Sequence, residues 1–305
     1  MKKILISVIL IILINLNGTI VEYEQFSDEL KKGIITDSGS LVLIEEYTAT
    51  WCQTCSEIDP SIQELAELHN ERVALIALHP ADGVDDLGNY ASGSRINSLF
   101  NGSVVQAPSF VIDRTSYIEG APEISALNSL ILQSQSKKSN FSEIKFSVLK
   151  KENKLNFEII LDKNSVGVVN LMILENKLTS NNYVGDLDKF DNVLKEMISF
   201  NISSKEILTS EENAQYNISS LNENLKINLT YNLNGDMNAN NLGFIVTHEV
   251  VEDNIYEIKG VAKIIQGELN VNDDSNVLLI LGIFFILGVF ASLGFLDTTA
   301  RNEEE

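Results

Sequence analysis

Soft and nitrogenous metal ligands are scarce in this chain: 305 residues contain two cysteines, Cys52 and Cys55, three histidines and four methionines. A structural zinc site takes four ligands at paired spacings, and His69, His79 and His248 offer no such pairing. Thiolates also suit Cu(I), but no methionine or histidine stands near the cysteines in sequence to complete a site, so no metal is expected. Basic residues are few as well. Twenty-two Lys and Arg stand against 43 Asp and Glu, a formal net charge of -21, which argues against nucleic acid or an anionic membrane surface as a partner. No cysteine follows the first apolar run, so no lipid anchor is indicated.

What the sequence does have is a long apolar run at each end. Lys2 and Lys3 precede Ile4–Leu16, the layout of a secretory signal or signal anchor over residues 1–20. Gly18 is the one small residue for cleavage there, and a mediocre one. Residues 276–296 are uncharged and long enough to cross a hydrocarbon core of roughly 30 Å as a helix. A single-pass protein of the cell membrane is therefore expected, with its domains outside the cytoplasm and residues 297–305 as a cytoplasmic tail. Asn-x-Ser/Thr sequons at Asn101, Asn140, Asn201, Asn217 and Asn228 suit an outer surface.

Between these runs the pattern changes once. Over residues 21–138, helical and strand-like stretches alternate: a helix over 23–34, a strand at "LVLIEEY", a helix from Cys52 to about Leu68, a strand at "RVALIALH". A helix over "NYASGSRINSLFN", strands at "SFVIDR" and "SYIEG" and a helix over "APEISALNSLILQSQ" complete the series. This order predicts an α/β domain, and the unbroken apolar runs are those of buried parallel strands. Over 139–272, six β-rich runs, "EIKFSVLK", "KLNFEIILD", "GVVNLMILE", "LKINLTYNL", "LGFIVTHEV" and "YEIKGVAKI", are separated by Asn, Asp, Ser and Gly. They predict an antiparallel β-sandwich that serves as spacer or binding module.

Both cysteines lie in "YTATWCQTCSEIDP". As a staple, a Cys52–Cys55 bridge closes a loop too short to constrain the unfolded chain much. A redox couple is the use the chemistry favours. Cys52 falls where a buried strand gives way to a helix, so its sulfur faces unpaired N–H groups and the positive end of the helix dipole, which stabilises a thiolate. Cys55, one turn on, is within disulfide reach and more buried, as suits a resolving thiol. Pro60 inside the predicted helix removes a backbone hydrogen bond.

The stretch "VLIEEYTATWCQTCSEIDP" resembles the active-site strand and helix of the thioredoxin superfamily. Trp51 matches the tryptophan before the first cysteine, and Pro60 the helix-kinking proline after the second. "APSF" resembles the loop whose cis-proline packs on the disulfide, which makes Ala107 and Pro108 substrate-binding candidates with the bond between them cis. Glu46, six residues before Cys52, falls where the family has a buried acid that takes a proton from the resolving cysteine. Gln53-Thr54 replaces the Gly-Pro of thioredoxin itself, so these two residues set a redox poise that does not carry over. The order of the chain, with a sandwich after the cysteine domain, also resembles exported thioredoxin-like proteins of prokaryotic envelopes related to outer-membrane lipoproteins.

The resemblance implies a thiol-disulfide oxidoreductase acting on protein thiols and disulfides, with Cys52 as nucleophile, Cys55 as resolving thiol and no cofactor beyond the pair. A reductase would also need a membrane electron-transfer partner. The competing reading is a redox-inert binding module on the same scaffold. Three other features have plainer uses: His79 as a structural histidine, Asp82–Asp86 as a solvated loop rather than a calcium site, and Glu45 and Glu46 on opposite faces of one strand with one of them buried.

Overall fold

The computed structural model describes residues 27, 30, 33–187, 189–209, 214–221, 224–233, 235–252 and 255–265. The apolar segments 4–16 and 276–296 and the tail 297–305 lie outside them, as does nearly all of the helix expected over 23–34. Among the described residues no helix is long and apolar enough to cross a membrane.

The first half of the described chain runs β1 (Ile34–Ser38), β2 (Val42–Tyr47), α1 (Gln53–Leu68), β3 (Val73–Leu78), α2 (Tyr90–Leu99), β4 (Ser109–Ile112), β5 (Ser116–Glu119) and α3 (Ile124–Lys137). Strand β2 pairs parallel with β3 on one side and antiparallel with β4 on the other, and β4 pairs with β5. The strands show no polar alternation because both faces are covered. Val42, Ile44, Val73 and Leu75 pack against Ile58, Ile62 and Leu65 of α1 and Leu127 and Ile131 of α3. Leu43, Ala74, Ile76 and Leu78 point the other way, towards Ala91 of α2. Helix α1 offers Cys55, Ile58, Ile62 and Leu65 at three- and four-residue steps, one apolar stripe that it buries on the sheet.

The second half contributes β6 (Ile144–Lys151), β7 (Lys154–Asp162), β8 (Val168–Glu175), β9 (Val193–Asn201), β10 (Glu206–Ile207), β11 (Ala214–Leu221), β12 (Asn224–Asn232), β13 (Leu242–Glu252) and β14 (Ile255–Ile264). All six expected β runs are strands. A five-stranded sheet, β1-β6-β7-β12-β11, faces β8, β9, β13 and β14 across a core that includes Phe146, Phe157, Ile198, Phe200 and Phe244. The sandwich is therefore present.

The two halves are more interwoven than a linear division suggests. Residues 34–38, read as part of the first domain, pair antiparallel with β6 in the five-stranded sheet. Ala77 of β3 pairs parallel with Val193 of β9, so one nine-stranded sheet runs from the cysteine-bearing half into the sandwich. The outer face of that sheet is shared, with Met172, Leu174, Leu194, Met197 and Ile245 in the same apolar cluster as Leu43, Ile76 and Ala91. The segment between β8 and β9 is folded back over the first half, with Leu178, Tyr183, Leu187 and Phe190 packed around Ala77, Leu87 and Val193.

Candidate active site

Cys52 and Cys55 form a disulfide at the start of α1, with Cα atoms 5.2 Å apart. Cys52 is the N-cap: its backbone is extended, and its Sγ accepts from the Cys55 N–H at 3.1 Å. A helix N-terminus leaves its first N–H groups without intrahelical partners, and these favour negative charge on the capping sulfur. Cys52 is itself enclosed. It is only 6% exposed, because it packs with Ala49 and Ala107, while Cys55 is fully buried. The order of burial is the expected one. Gln53 and Thr54 are exposed on the first turn, and the Gln53 carbonyl accepts from the Ser56 hydroxyl at 2.7 Å.

The loop before β4 comes up beside the pair. The Ala107–Pro108 bond is cis, as the resemblance implies. The Ala107 carbonyl oxygen lies 3.4 Å from Cys52 Sγ, and the Pro108 carbonyl accepts from the Gly120 N–H at 2.8 Å, which ties the loop to the end of β5. Trp51, 41% exposed, forms the outer lip, with its indole N–H donating to Asp82 at 2.9 Å.

The acidic segment Asp82–Asp86 is more than the solvated loop expected. Asp85 is buried, accepts from the Thr50 and Leu87 N–H groups and bonds His79 Nδ1 at 2.9 Å. Burial alone would push its carboxyl up, but the histidine and the two amides hold it below the usual range. Asp86 accepts from the Ser180 hydroxyl and the Asn181 N–H of the β8–β9 segment. This loop thus clamps the residues before Cys52 on one side and the sandwich on the other. Among the described residues no group of three or more His, Cys, Asp and Glu comes together to hold a metal.

Behind the disulfide lies a set of acids. Glu46 stands on the same face of β2 as Ile44, towards α1, and is 3% exposed. Asp59, four residues after Cys55 on α1, is 4% exposed and accepts from the Thr48 hydroxyl at 3.1 Å. Burial above all, then the charge of the neighbouring Asp59 and hydrogen bonding to it, hold Glu46 well above the usual carboxylate range. Burial pushes Asp59 up to about 6 against the opposing pull of Thr48, His79 and Glu46. Tyr183, from the β8–β9 segment, brings a buried hydroxyl to the same place: burial and then the charges of Asp59, Asp186 and Glu46 push it up to about 12.

Glu45 is buried as well, which corrects the expectation that only one of the two glutamates would be. It faces the other side of β2 and receives Arg95 of α2 at 2.5 and 3.1 Å. Asp59 was missed in the sequence, although its helical spacing between Ile58 and Ile62 places it on the buried stripe. Tyr183 left no local signal.

Residues 19–91 match the family model described as Thioredoxin. Among solved structures, the chain is similar to HBP35 of Porphyromonas gingivalis, with 15% identity and a TM-score of 0.60 over 75% of this chain and 76% of that one. It is also similar to the protein AGR_C_4864 from Agrobacterium tumefaciens, with 10% identity and a TM-score of 0.50 over 77% of this chain and 98% of that one. At these identities the likeness is one of fold. No curated protein matches the sequence. With the matched stretch, the Cys52–Cys55 pair at the head of α1 and the cis-proline loop beside it, the cysteine-bearing half of this chain is a thioredoxin-like domain.

Proposed function

We propose that the chain is a membrane-anchored thiol-disulfide oxidoreductase that acts on protein disulfides outside the cytoplasm. One observation carries the redox assignment: Cys52 caps α1, is disulfide-bonded to Cys55 and rests against Ala107 of the cis-proline loop. In the reduced protein, the Cys52 thiolate attacks a substrate disulfide. One substrate sulfur leaves as thiolate, and Cys52 stays bonded to the other. Cys55 then gives up its proton to the buried acid behind it and attacks Cys52 Sγ. The second substrate sulfur leaves with the electron pair of the mixed disulfide. Two electrons pass to the substrate, and the Cys52–Cys55 bond forms. A dithiol donor restores the pair, and run backwards the same steps oxidise a dithiol substrate. Trp51 and Ala107 stand beside Cys52, where with Pro108 they would seat an extended client segment, and Gln53 and Thr54 are exposed on the turn that follows.

Anchoring and export rest on the apolar segments 4–16 and 276–296. The test uses the full chain in detergent, equilibrated in dithiothreitol buffers and assayed for reduction of a protein disulfide. Cys52→Ser is expected to abolish turnover, and Cys55→Ser to accumulate mixed disulfides. Full turnover by the Cys52→Ser chain would sink the redox reading in favour of an inert binding module. Recovery of the intact chain from its own cells as a soluble cytoplasmic protein would refute the anchor.

A further inference from the structure

The acids behind Cys55 form a pair. Glu46 projects from β2 and Asp59 from α1 into the same buried space, one helical turn below Cys55, where the Thr48 hydroxyl two residues along the same face of β2 reaches Asp59 at 3.1 Å. Two neighbouring carboxylates so buried cannot both be ionised at low cost, so a single proton held between them is the favoured state. Among the described residues no lysine or arginine is paired with either acid, and the basic side chain beside them is His79. Facing the pair are the Thr48 hydroxyl from the end of β2, His79 with its neighbour Asp85 from beyond β3, and Tyr183 and Asp186 from the β8–β9 segment. His79 is turned by Asp85, which occupies Nδ1 and leaves Nε2 buried. Glu46 Oε1, His79 Nε2 and the Tyr183 hydroxyl are all buried without a hydrogen-bond partner among the described residues. The contrast is with Glu45 on the opposite face, where Arg95 leaves no need for a shared proton.

We propose that Asp59 shares one proton with Glu46, so that the pair, and not Glu46 alone, receives the proton of Cys55 when a mixed disulfide is resolved. The inference rests on the oxidoreductase reading and names what completes that site. In the resting pair one carboxyl is protonated and the other is a carboxylate. The Cys55 S–H bond breaks and its proton goes to that carboxylate. The Cys55 sulfur then bonds Cys52 Sγ, the bond from Cys52 to the substrate breaks, and the substrate leaves as thiolate. The doubly protonated pair returns one proton to solvent. A lone Glu46 would need to be ionised before it could act, and burial opposes that. The pair always keeps one base available once it has lost its first proton.

The test follows release of a fluorescent peptide thiol from its mixed disulfide with Cys52, in a single turnover of the full chain in detergent, from pH 5 to 9. Wild type is expected to show an acid limb near pH 6, where Asp59 titrates. Asp59→Asn should move that limb up by about one pH unit or more and slow release at least about tenfold at pH 6.5, because the remaining base is a buried Glu46. Glu46→Gln should slow release yet keep an acid limb, shifted up by a smaller step than in Asp59→Asn, since Asp59 remains as a base but loses the partner that lowers it. An Asp59→Asn limb that coincides with wild type would overturn the proposal, as would a Glu46→Gln chain with no resolution at any pH. Thr48→Val, which removes only the hydroxyl that lowers Asp59, should raise the limb by a smaller step and covers the case in which Asp59→Asn fails to fold. If wild type forms no mixed disulfide at all, the oxidoreductase reading fails and takes this proposal with it. An active wild type with an unmoved limb sinks the proposal alone.

Discussion

Glu45 and Glu46 are neighbours on one strand, equally buried, and opposite in what the fold does with them. On the α2 side, Glu45 and Glu249 enclose Arg95, and Arg114 lies 3.4 Å from Glu249 and stacks over the Tyr256 ring. Burial would push Glu249 up, but the two arginines hold it below the usual range, and Thr247 adds a hydrogen bond at 3.0 Å. These charges come from β2, α2, the β4–β5 turn and β13, so the network ties the cysteine-bearing half to the sandwich. On the α1 side, Glu46 meets another acid, and among the described residues no lysine or arginine is paired with either. A buried ion cluster whose signs alternate is a structural solution, whereas two buried acids without such a cation favour keeping one proton between them. The difference teaches that burial of an acid is not by itself a mark of function: the partner decides.

The largest effect should follow from breaking the paired face. Arg95→Met leaves Glu45 and Glu249 buried without their common cation, and removing one partner of such a cluster costs about 3–5 kcal/mol. Urea unfolding of the full chain should show that loss, while thiol exchange by the protein that remains folded stays near wild type, since Arg95 touches none of the cysteine-site residues. A stability within about 1 kcal/mol of wild type would mean that the network contributes little. The acid face should respond to pH instead. The folded value of Asp59, about 6, lies above its ordinary 3.8, so the native state holds that proton more tightly than the unfolded chain. The stabilisation is complete below about pH 4 and is lost as pH rises through about 6, a change of about 3 kcal/mol. Other carboxylates, Asp82, Asp85 and Glu249 among them, are held low and act in the reverse sense. The clean measurement is therefore the difference between wild type and Asp59→Asn. Relative to wild type, the variant should gain about 3 kcal/mol between pH 4 and pH 7 in urea unfolding, and a flat difference would show that Asp59 titrates normally.

Much of this site could be read from short words in the sequence, because the chemistry of the pair is local. "WCQTC" at a strand-to-helix junction, Pro60 on the same helix and a proline before "SFVI" need only neighbouring residues to be recognised, and the structure brings Cys52, Cys55 and Ala107 together. Strands β2 and β3 were legible as unbroken apolar runs, and β6, β7, β8, β12, β13 and β14 from apolar and alternating stretches. Strand β1, with Thr36 and Asp37 in its five residues, carries too little apolar signal, and its helical surroundings pointed elsewhere. Strand β11 is as polar as the loops around it, so only pairing with β12 defines it. That Cys52 is itself enclosed was not legible, because its cover, Ala107, comes from another loop. Tyr183 and the clamp from Asp86 to Ser180 depend on the sheet continuing from β3 into β9, a register that no local pattern encodes.

That continuation yields the smallest expected effect and the closest test of how the sandwich reaches the acid face. The β8–β9 segment lies directly on the start of α1: the Val184 N–H donates to the Thr50 carbonyl at 3.1 Å, and a Cβ added to Gly185 would stand 2.6 Å from Ser56 Cβ. Real carbon atoms do not approach so closely, and Ser56 Cβ is fixed by the helix backbone, so the segment must lift if residue 185 carries a side chain. Gly185→Ala should therefore cost about 1–3 kcal/mol in urea unfolding, the range for forcing one extra carbon into a packed contact. Lifting the segment should also draw Tyr183 away from Asp59 and Glu46 and lower the pH at which Asp59 titrates, since the burial that raises Asp59 depends on that cover. If Gly185→Ala unfolds at the wild-type urea midpoint with an unchanged pH dependence, the segment is not seated on α1, and the acid pair is shaped by the cysteine-bearing half alone.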